Sequence, residues 1–433
     1  HTHTHSLSLS LSLSLSRMGA AAAVQVALVT VVLLTAASTT ASDNIGSAIE
    51  TDDAGALHIN SSDPLTQPVL LNGEDVLGMV VAQASMIEAN NALIADQASL
   101  ITALEEDLCS LHPPHIGRIA GATGPGDFKW AGGVLAPNGL IYGVPYHATS
   151  VLIINPTAKT LDTTTITGLP SGGGKWWGGV LAPNNNIIYC FPGNQDSVLK
   201  IDPTTNTADW TTIPGLGPAG HKFRSGVLAN NGLIYAIPHH ATFAPIIDPV
   251  TDTVDTTTLS GLSTEINKWW GSAVVPDGRI FGIPVKADAV LIIDPETNTL
   301  DTTSIVGLGN GGAKWGDGVL ASNNLIYGIP RGSDSVLIID PEAMTADTTT
   351  ISGLGGDQKW ISGALAASNK VVGIPYLSDS VLVIDPETNT ADTTTLTNAG
   401  IVDKYRGAVL GSNGLIYAIP FDTDSVLVID VGC

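Results

Sequence analysis

Positive charge is scarce in this chain: 17 Lys and Arg stand against 40 Asp and Glu in 433 residues, a formal net charge of −23. After residue 114 the imbalance persists, with 16 basic residues facing 28 acidic ones. Such a surface repels phosphate backbones, which excludes nucleic acid as a partner. Cysteine is nearly absent too; three residues cannot make a disulfide-dense scaffold, and one bridge is the most they allow. No segment beyond residue 41 is apolar enough to cross a bilayer. Motifs of nucleophilic or metal-hydrolytic enzymes are missing: there is no Gly-x-Ser-x-Gly, no His-Glu-x-x-His and no P-loop. Gly-rich loops such as Ser171-Gly172-Gly173-Gly174 are not followed by the helix that a phosphate site requires.

What is present begins with an odd leader. Residues 1–17 alternate His-Thr and then Ser-Leu, as a translated dinucleotide microsatellite would, which makes Met18 the expected start; a genuine His-rich metal-binding tract is the alternative. Residues 18–41 read as a signal peptide, an apolar run followed by small residues with cleavage expected near Ala37 or Ala41. An uncleaved signal anchor is the competing reading, so the chain is expected to be secreted or, failing cleavage, tethered to a membrane. Residues 42–72 are polar and aperiodic, a flexible linker carrying the sequon Asn60-Ser61-Ser62 and hence a glycosylation site at Asn60.

Residues 73–111 change character. Val80, Ile87, Ile94, Ile101 and Leu108 fall at intervals of seven, with Met79, Met86, Leu93 and Leu100 beside them. This stripe predicts an amphipathic helix able to form a coiled coil, and so a homo-oligomer. Gln83, Asn90 and Gln97 occupy the alternate seam positions, which leaves open a second arrangement, the helix folded back on the domain that follows.

From Lys129 onward one phrase recurs seven times: Lys plus an aromatic, a Gly-rich run, Val-Leu-Ala-Pro-Asn-Gly, Ile-Tyr-x-Ile-Pro, Ser-Val-Leu-Ile-Ile-Asp-Pro and Asp-Thr-Thr-Thr. It restarts at Lys129, Lys175, Lys222, Lys268, Lys314, Lys359 and Lys404, in steps of 46, 47, 46, 46, 45 and 45. Four short strand-like runs at that period predict an all-β seven-bladed β-propeller over residues 115–433, with four-stranded blades. In the second blade the strands are expected at 177–182, 187–191, 198–201 and 209–213. Asn-Gly and Asp-Pro supply the turns, and the Gly pair belongs on the crowded innermost strand.

The last repeat lacks its fourth strand, and residues 115–121 sit at the right distance upstream to supply it. Closure of the ring from both ends of the chain is therefore expected, with His115 beside Asp430. A disulfide between Cys109 and Cys433, which flank those points, would lock it. Cys190 stands where other repeats carry Gly or Ala, and is expected to be a small buried filler with a free thiol.

The Ser-Val-Leu-Ile-Ile-Asp-Pro-Glu run, with Ile-Tyr-x-Ile-Pro before it, resembles the YVTN and NHL type propeller repeats and covers residues 115–433. The resemblance implies a propeller fold. It leaves activity open, because that superfamily holds extracellular binding proteins, metal-dependent lactonases and an antibiotic lyase.

Two sets of loops share one face of such a ring. Every repeat brings a lysine there (Lys129, Lys175, Lys222, Lys268, Lys314, Lys359, Lys404), which makes either a positive mouth for an acidic ligand or an ion pair in each blade with Asp196, Asp288, Asp334, Asp379 or Asp424. Residues that break the symmetry are better candidates for a site. Tyr146, Trp177, Arg224, Trp270, Arg331 and Arg406 point to ligand binding. His147, His239, His240 and Asp317 form a candidate set for a divalent metal, the one cofactor the residues could hold. The sequence is read as a binding or adhesion module whose partner is an extracellular protein or glycan. A metal-dependent hydrolase or lyase and a structural wall or matrix component are the alternatives.

Overall fold

The computed structural model describes residues 47–51, 57–61, 70–71, 74–123, 126–218, 220–400 and 404–432, with side chains from Ala82 onward except those of 105–110. The leader, the signal segment and Cys433 lie outside the described residues, as does the side chain of Cys109, so the Cys109–Cys433 bridge does too. The chain divides into two compact units, His1–Leu108 and Cys109–Cys433.

In the first unit, Ser47–Thr51 pairs antiparallel with Leu57–Ser61, and Leu70–Leu71 with Glu74–Asp75. The stretch read as a linker thus contains one short hairpin and the first strand of a second, and Asn60 sits on a strand opposite Ala48. A helix then runs from Val76 to Leu111. Every described side chain from Ala82 to Leu104 on it is exposed.

The second unit is the seven-bladed ring. Each blade is a four-stranded antiparallel sheet, and the first six are meanders in simple order. In the second blade the strands are Trp176–Ala182, Ile187–Pro192, Leu199–Asp202 and Thr207–Asp209. The inner strand of the last blade, Tyr405–Leu410, lies against that of the first, Trp130–Leu135. The seventh blade takes its outer strand from upstream: His115–Ala120 pairs with Ser425–Asp430, His115 opposite Asp430 and Ala120 opposite Ser425. This is the closure the repeat spacing predicts.

Seven of the apolar clusters lie between adjacent blades, where the alternation of Ile-Tyr-x-Ile on one strand meets Val-Leu-Ile-Ile of the next. Cys190 fills one of these contacts as a buried free thiol, and burial pushes its ionisation up. The aromatic after each lysine is part of this core. Trp130, Trp176, Trp269, Trp315 and Trp360 each donate the indole N–H to a main-chain carbonyl at the start of the third strand, at 2.7–2.9 Å.

Glycine on the inner strands is a steric requirement. A Cβ on Gly316 would lie 2.2 Å from the Ile361 carbonyl oxygen of the next blade, and one on Gly132 would lie 2.6 Å from that of Trp177. We expect Gly316→Ala to cost about 1–3 kcal/mol through forced backbone movement, read as a fall in Tm of several degrees. Gly311→Ala, where a Cβ meets nothing within 4 Å, should leave Tm unchanged.

The outer strand differs from expectation. It was placed at 209–213, but it spans Thr207–Asp209, and the Thr-rich stretch after it is a turn. The reason is local: Asp209 accepts from the Thr211 N–H and hydroxyl, both at 2.8 Å, and from the Thr212 hydroxyl, so side chains take over the bonding a strand would need. Asp162, Asp255 and Asp347 do the same. At Asp347 the Thr350 hydroxyl, then the Thr349 N–H, hold the carboxyl down at about 2. The Asp-Pro turns at the other end of the outer strand are capped alike, Asp202 accepting from the Thr204 N–H at 2.8 Å.

A carboxyl with a depressed folded-state value contributes stability that is fully present above its unfolded value and lost as pH falls through the folded one. Denaturant midpoints should therefore hold down to about pH 4 and drop between about pH 4 and 2. Asp347→Asn should flatten part of that drop.

Candidate functional site

A β-bulge places the site. In every blade the register between inner and second strand slips just after the aromatic that follows the lysine, between Trp176 and Gly179 in the second blade and at the equivalent points elsewhere. The bulged residues are Ala131, Trp177, Arg224, Trp270, Gly316, Ile361 and Arg406. Bulges re-aim side chains, and here they turn these residues into one cluster. The residues after the second-strand proline form a ring with them: Tyr146, Gly193, His239, Val285, Arg331, Tyr376 and Phe421.

The seven lysines tie that ring together instead of forming a charged mouth. Each lysine carbonyl accepts the N–H of the post-proline residue in its own blade, as Lys129 does from Tyr146 at 2.9 Å and Lys222 from His239 at 2.8 Å. The next lysine's N–H then binds that residue's carbonyl, Lys268 to His239 at 2.9 Å. Six of the seven lysines are buried, and Lys314 is half-buried.

Lysine ammonium groups bond mainly to loop carbonyls: Lys175 to Tyr146 and Gly172, Lys222 to Gly193 and Gln195, Lys314 to Ala287 and Gly309, Lys359 to Ser333 and Gly356. Lys268 binds the Glu265 carbonyl, and Lys404 those of Ser378 and Gly400. Burial pushes Lys175 and Lys314 down to about 8. Lys129 makes the expected ion pair, with Asp424 at 3.0 Å. Asp196, Asp288, Asp334 and Asp379 instead accept loop N–H groups, from Gly217, Gly309, Gly355 and Gly400.

The symmetry-breaking residues do converge. The Arg224 guanidinium carbon lies 3.3 Å from the Trp177 ring centre and 4.4 Å from that of Trp270. Arg406 lies 3.8 Å from Phe421 and 5.0 Å from Tyr376, whose hydroxyl accepts its Nη2 at 2.8 Å. Arg331 lies 5.3 Å from Trp270 and donates to Gln358 Oε1 at 3.0 Å. Tyr146 packs on Trp177, ring centres 4.5 Å apart.

Tyr376 and Phe421, which sequence reasoning did not select, complete the aromatic floor; they break the repeat at the same position as Tyr146, and that was the available signal. A cavity of about 260 Å³ opens beside them, lined by Arg224, His239, Asn267, Trp270, Val285, Lys286, Ala313, Arg331 and Arg406.

Its electrostatics are one-sided. Burial, then the charges of Arg406 and Arg331, drives Arg224 well below its ordinary value, with Tyr146 and Tyr376 acting in the other direction. The Nε and Nη1 of Arg224, the Nε of Arg406 and the indole Nε1 of Trp177 are buried without a hydrogen-bond partner among the described residues. All of these atoms donate and none accepts.

The metal set does not assemble. Among the described residues no three His, Cys, Asp or Glu side chains lie close enough to hold an ion. His239 is buried with Nδ1 2.9 Å from the Trp269 carbonyl, His240 Nε2 meets Asn267 Oδ1 at 3.1 Å, and His147 stacks on Tyr146. Asp317 sits on an inner strand and accepts the Gly318 and Gly363 N–H groups; burial raises it to about 6 against those bonds.

No protein-family model matches the chain, and no curated protein matches it in sequence. Solved structures match in fold. A catalytically inactive virginiamycin B lyase from Staphylococcus aureus with quinupristin is 10% identical with a TM-score of 0.59, over 72% of this chain and 98% of that one. A streptogramin B lyase is 11% identical at 0.54, over 73% and 97%. The extracellular domain of a hybrid two-component system from B. thetaiotaomicron is 11% identical at 0.54, over 74% of this chain and 42% of that one. These likenesses show the fold, a seven-bladed propeller consistent with YVTN/NHL-like repeats. At such identity they carry no activity across.

Proposed function

We propose that this protein is a secreted binding propeller whose axial mouth takes an anionic ligand. The observation that carries this reading is the cluster of buried, unpartnered donors around Arg224. A buried donor without a partner costs about 1–3 kcal/mol, and a buried guanidinium beside two others costs more. Such an arrangement fits a ligand rich in acceptors and negative charge, which would supply the missing bonds. Steering works in the same direction: a local positive focus on an otherwise acidic surface draws anions to one point.

Secretion rests on the apolar run and small residues of segment 18–41. The binding reading is tested by titrating the protein with small oxyanions and carboxylates; saturable binding that Arg224→Met removes supports it, and absence of binding refutes it. The hydrolase or lyase alternative gains nothing from His147, His239, His240 and Asp317, since among the described residues no three such side chains come together to hold an ion.

A further inference from the structure

We propose that the ligand of this cavity is a small hydroxy acid of the sugar-acid kind, an oxyanion held by Arg224 and Arg406 with a hydroxyl donating to His239. This rests on the anion reading above and narrows it. His239 Nδ1 faces the Trp269 carbonyl at 2.9 Å, so Nδ1 carries the proton. Burial and then the charge of Arg224 keep the ring neutral, and Nε2 is left as a buried lone pair with no partner among the described residues. It is an acceptor in a cavity where the orphaned nitrogens of Arg224 and Arg406 donate. An anion alone satisfies the arginines and leaves Nε2 empty; an anion with a hydroxyl nearby satisfies both. Trp270, Val285 and Ala313 give the carbon skeleton an apolar wall. The volume, about 260 Å³, lies below the usual range for drug-sized ligands and suits one sugar unit.

Calorimetric titration of the full chain with a hexuronate, the matching neutral hexose, acetate and inorganic phosphate tests this. The hexuronate is expected to bind at least tenfold tighter than each of the others. His239→Phe, which keeps a ring and removes both nitrogens, should collapse that tenfold preference; if that variant does not fold, the comparison on the native chain decides alone. Acetate or phosphate binding as tightly as the hexuronate overturns the hydroxy-acid assignment while leaving the anion site standing. No binding by any probe overturns both, the cavity then holding water only. An oligosaccharide ending in the same uronate tells the two sources apart: equal affinity places the acid at a glycan terminus, and lost affinity restricts the site to the free acid.

A separate observation carries a second inference: we infer that the helix Val76–Leu111 is covered by a second copy of itself in parallel register. Met86, Leu93, Ile94, Leu100, Ile101 and Leu104 are each more than half exposed. They follow a seven-residue period, the repeat that coiled-coil packing demands. At the alternate seam positions stand Gln83, Asn90 and Gln97. In a parallel, in-register pair each faces its own copy, and an amide both donates and accepts, so each satisfies its twin. A partner without amides at that spacing would bury them unpaired. Thirty-six residues give a helix of about 54 Å, and a seam about 10 Å wide on each copy totals roughly 1,000 Å², the size a specific interface needs.

Sedimentation of the full chain is expected to show a dimer that Ile94→Glu with Ile101→Glu dissociates. Asn90→Cys should link the two copies under oxidation. A monomer at all concentrations, or an Asn90→Cys dimer that does not cross-link, overturns this inference.

Discussion

Deletion of residues 1–121 is expected to unfold the propeller, whereas deletion of 1–108 leaves it folded. The longer cut removes His115–Ala120, six residues paired in unbroken register with Ser425–Asp430. It exposes the third strand of the seventh blade as an open edge, a template for aggregation. It also removes Ile119, which is buried in the seam between the seventh and first blades with Trp130, Leu152 and Val426. Burial of one such side chain contributes about 1.5–3 kcal/mol, and each net backbone hydrogen bond about 0.5–1.5 kcal/mol. Together these approach the whole stability of an ordinary domain, about 5–15 kcal/mol. Soluble yield and the cooperativity of thermal unfolding would report the difference. A longer truncation that melts as sharply and as high as the shorter one would contradict the ring closure.

Arg224→Met is expected to abolish anion binding and, without ligand, to raise Tm. These effects share one cause. Arg224 keeps two donor nitrogens buried without partners beside two further arginines, an arrangement that a ligand would satisfy and that its absence leaves unpaid. Methionine fills similar space without charge or donors, and replacing buried charges by apolar side chains of like volume is often stabilising by about 1–4 kcal/mol. Hydrogen bonds to charged groups are worth about 1.5–3 kcal/mol each, so losing two weakens binding by at least about a hundredfold. A variant that binds anions as before, or one that loses stability and binding together, would count against the site.

The ring was legible because repetition is a property of sequence. The Lys-to-Lys spacing gave the blade number, and the unpaired final repeat pointed upstream to His115. Cys190 was legible as well, since its neighbours in other repeats are Gly and Ala. The site was half legible. Tyr146, Trp177, Arg224, Trp270, Arg331 and Arg406 stand out as breaks in symmetry; the bulge turns Trp177, Arg224, Trp270 and Arg406 to the axis, and the position after the second-strand proline brings Tyr146 and Arg331 beside them.

Lysine destinations were not legible. Whether an ammonium meets a ligand, a carboxylate or a carbonyl depends on how loops curl, as Gly172 and Gly309 show by turning their carbonyls onto Lys175 and Lys314. The same limit applied to His147, His239, His240 and Asp317, whose blade positions were known but whose side-chain directions were not. The outer strand was misplaced because Asp-Thr-Thr reads as extended chain, while the Asp carboxylate pulls the threonines into a turn.

The most direct test of the binding site is the arginine Nε–H region of a ¹H–¹⁵N spectrum, followed as a hexuronate or phosphate is added. The signals of Arg224 and Arg406 are expected to move together toward hydrogen-bonded positions with one shared Kd. Those two signals staying fixed while an anion binds elsewhere, or while none binds, would contradict the assignment of the axial mouth as the site.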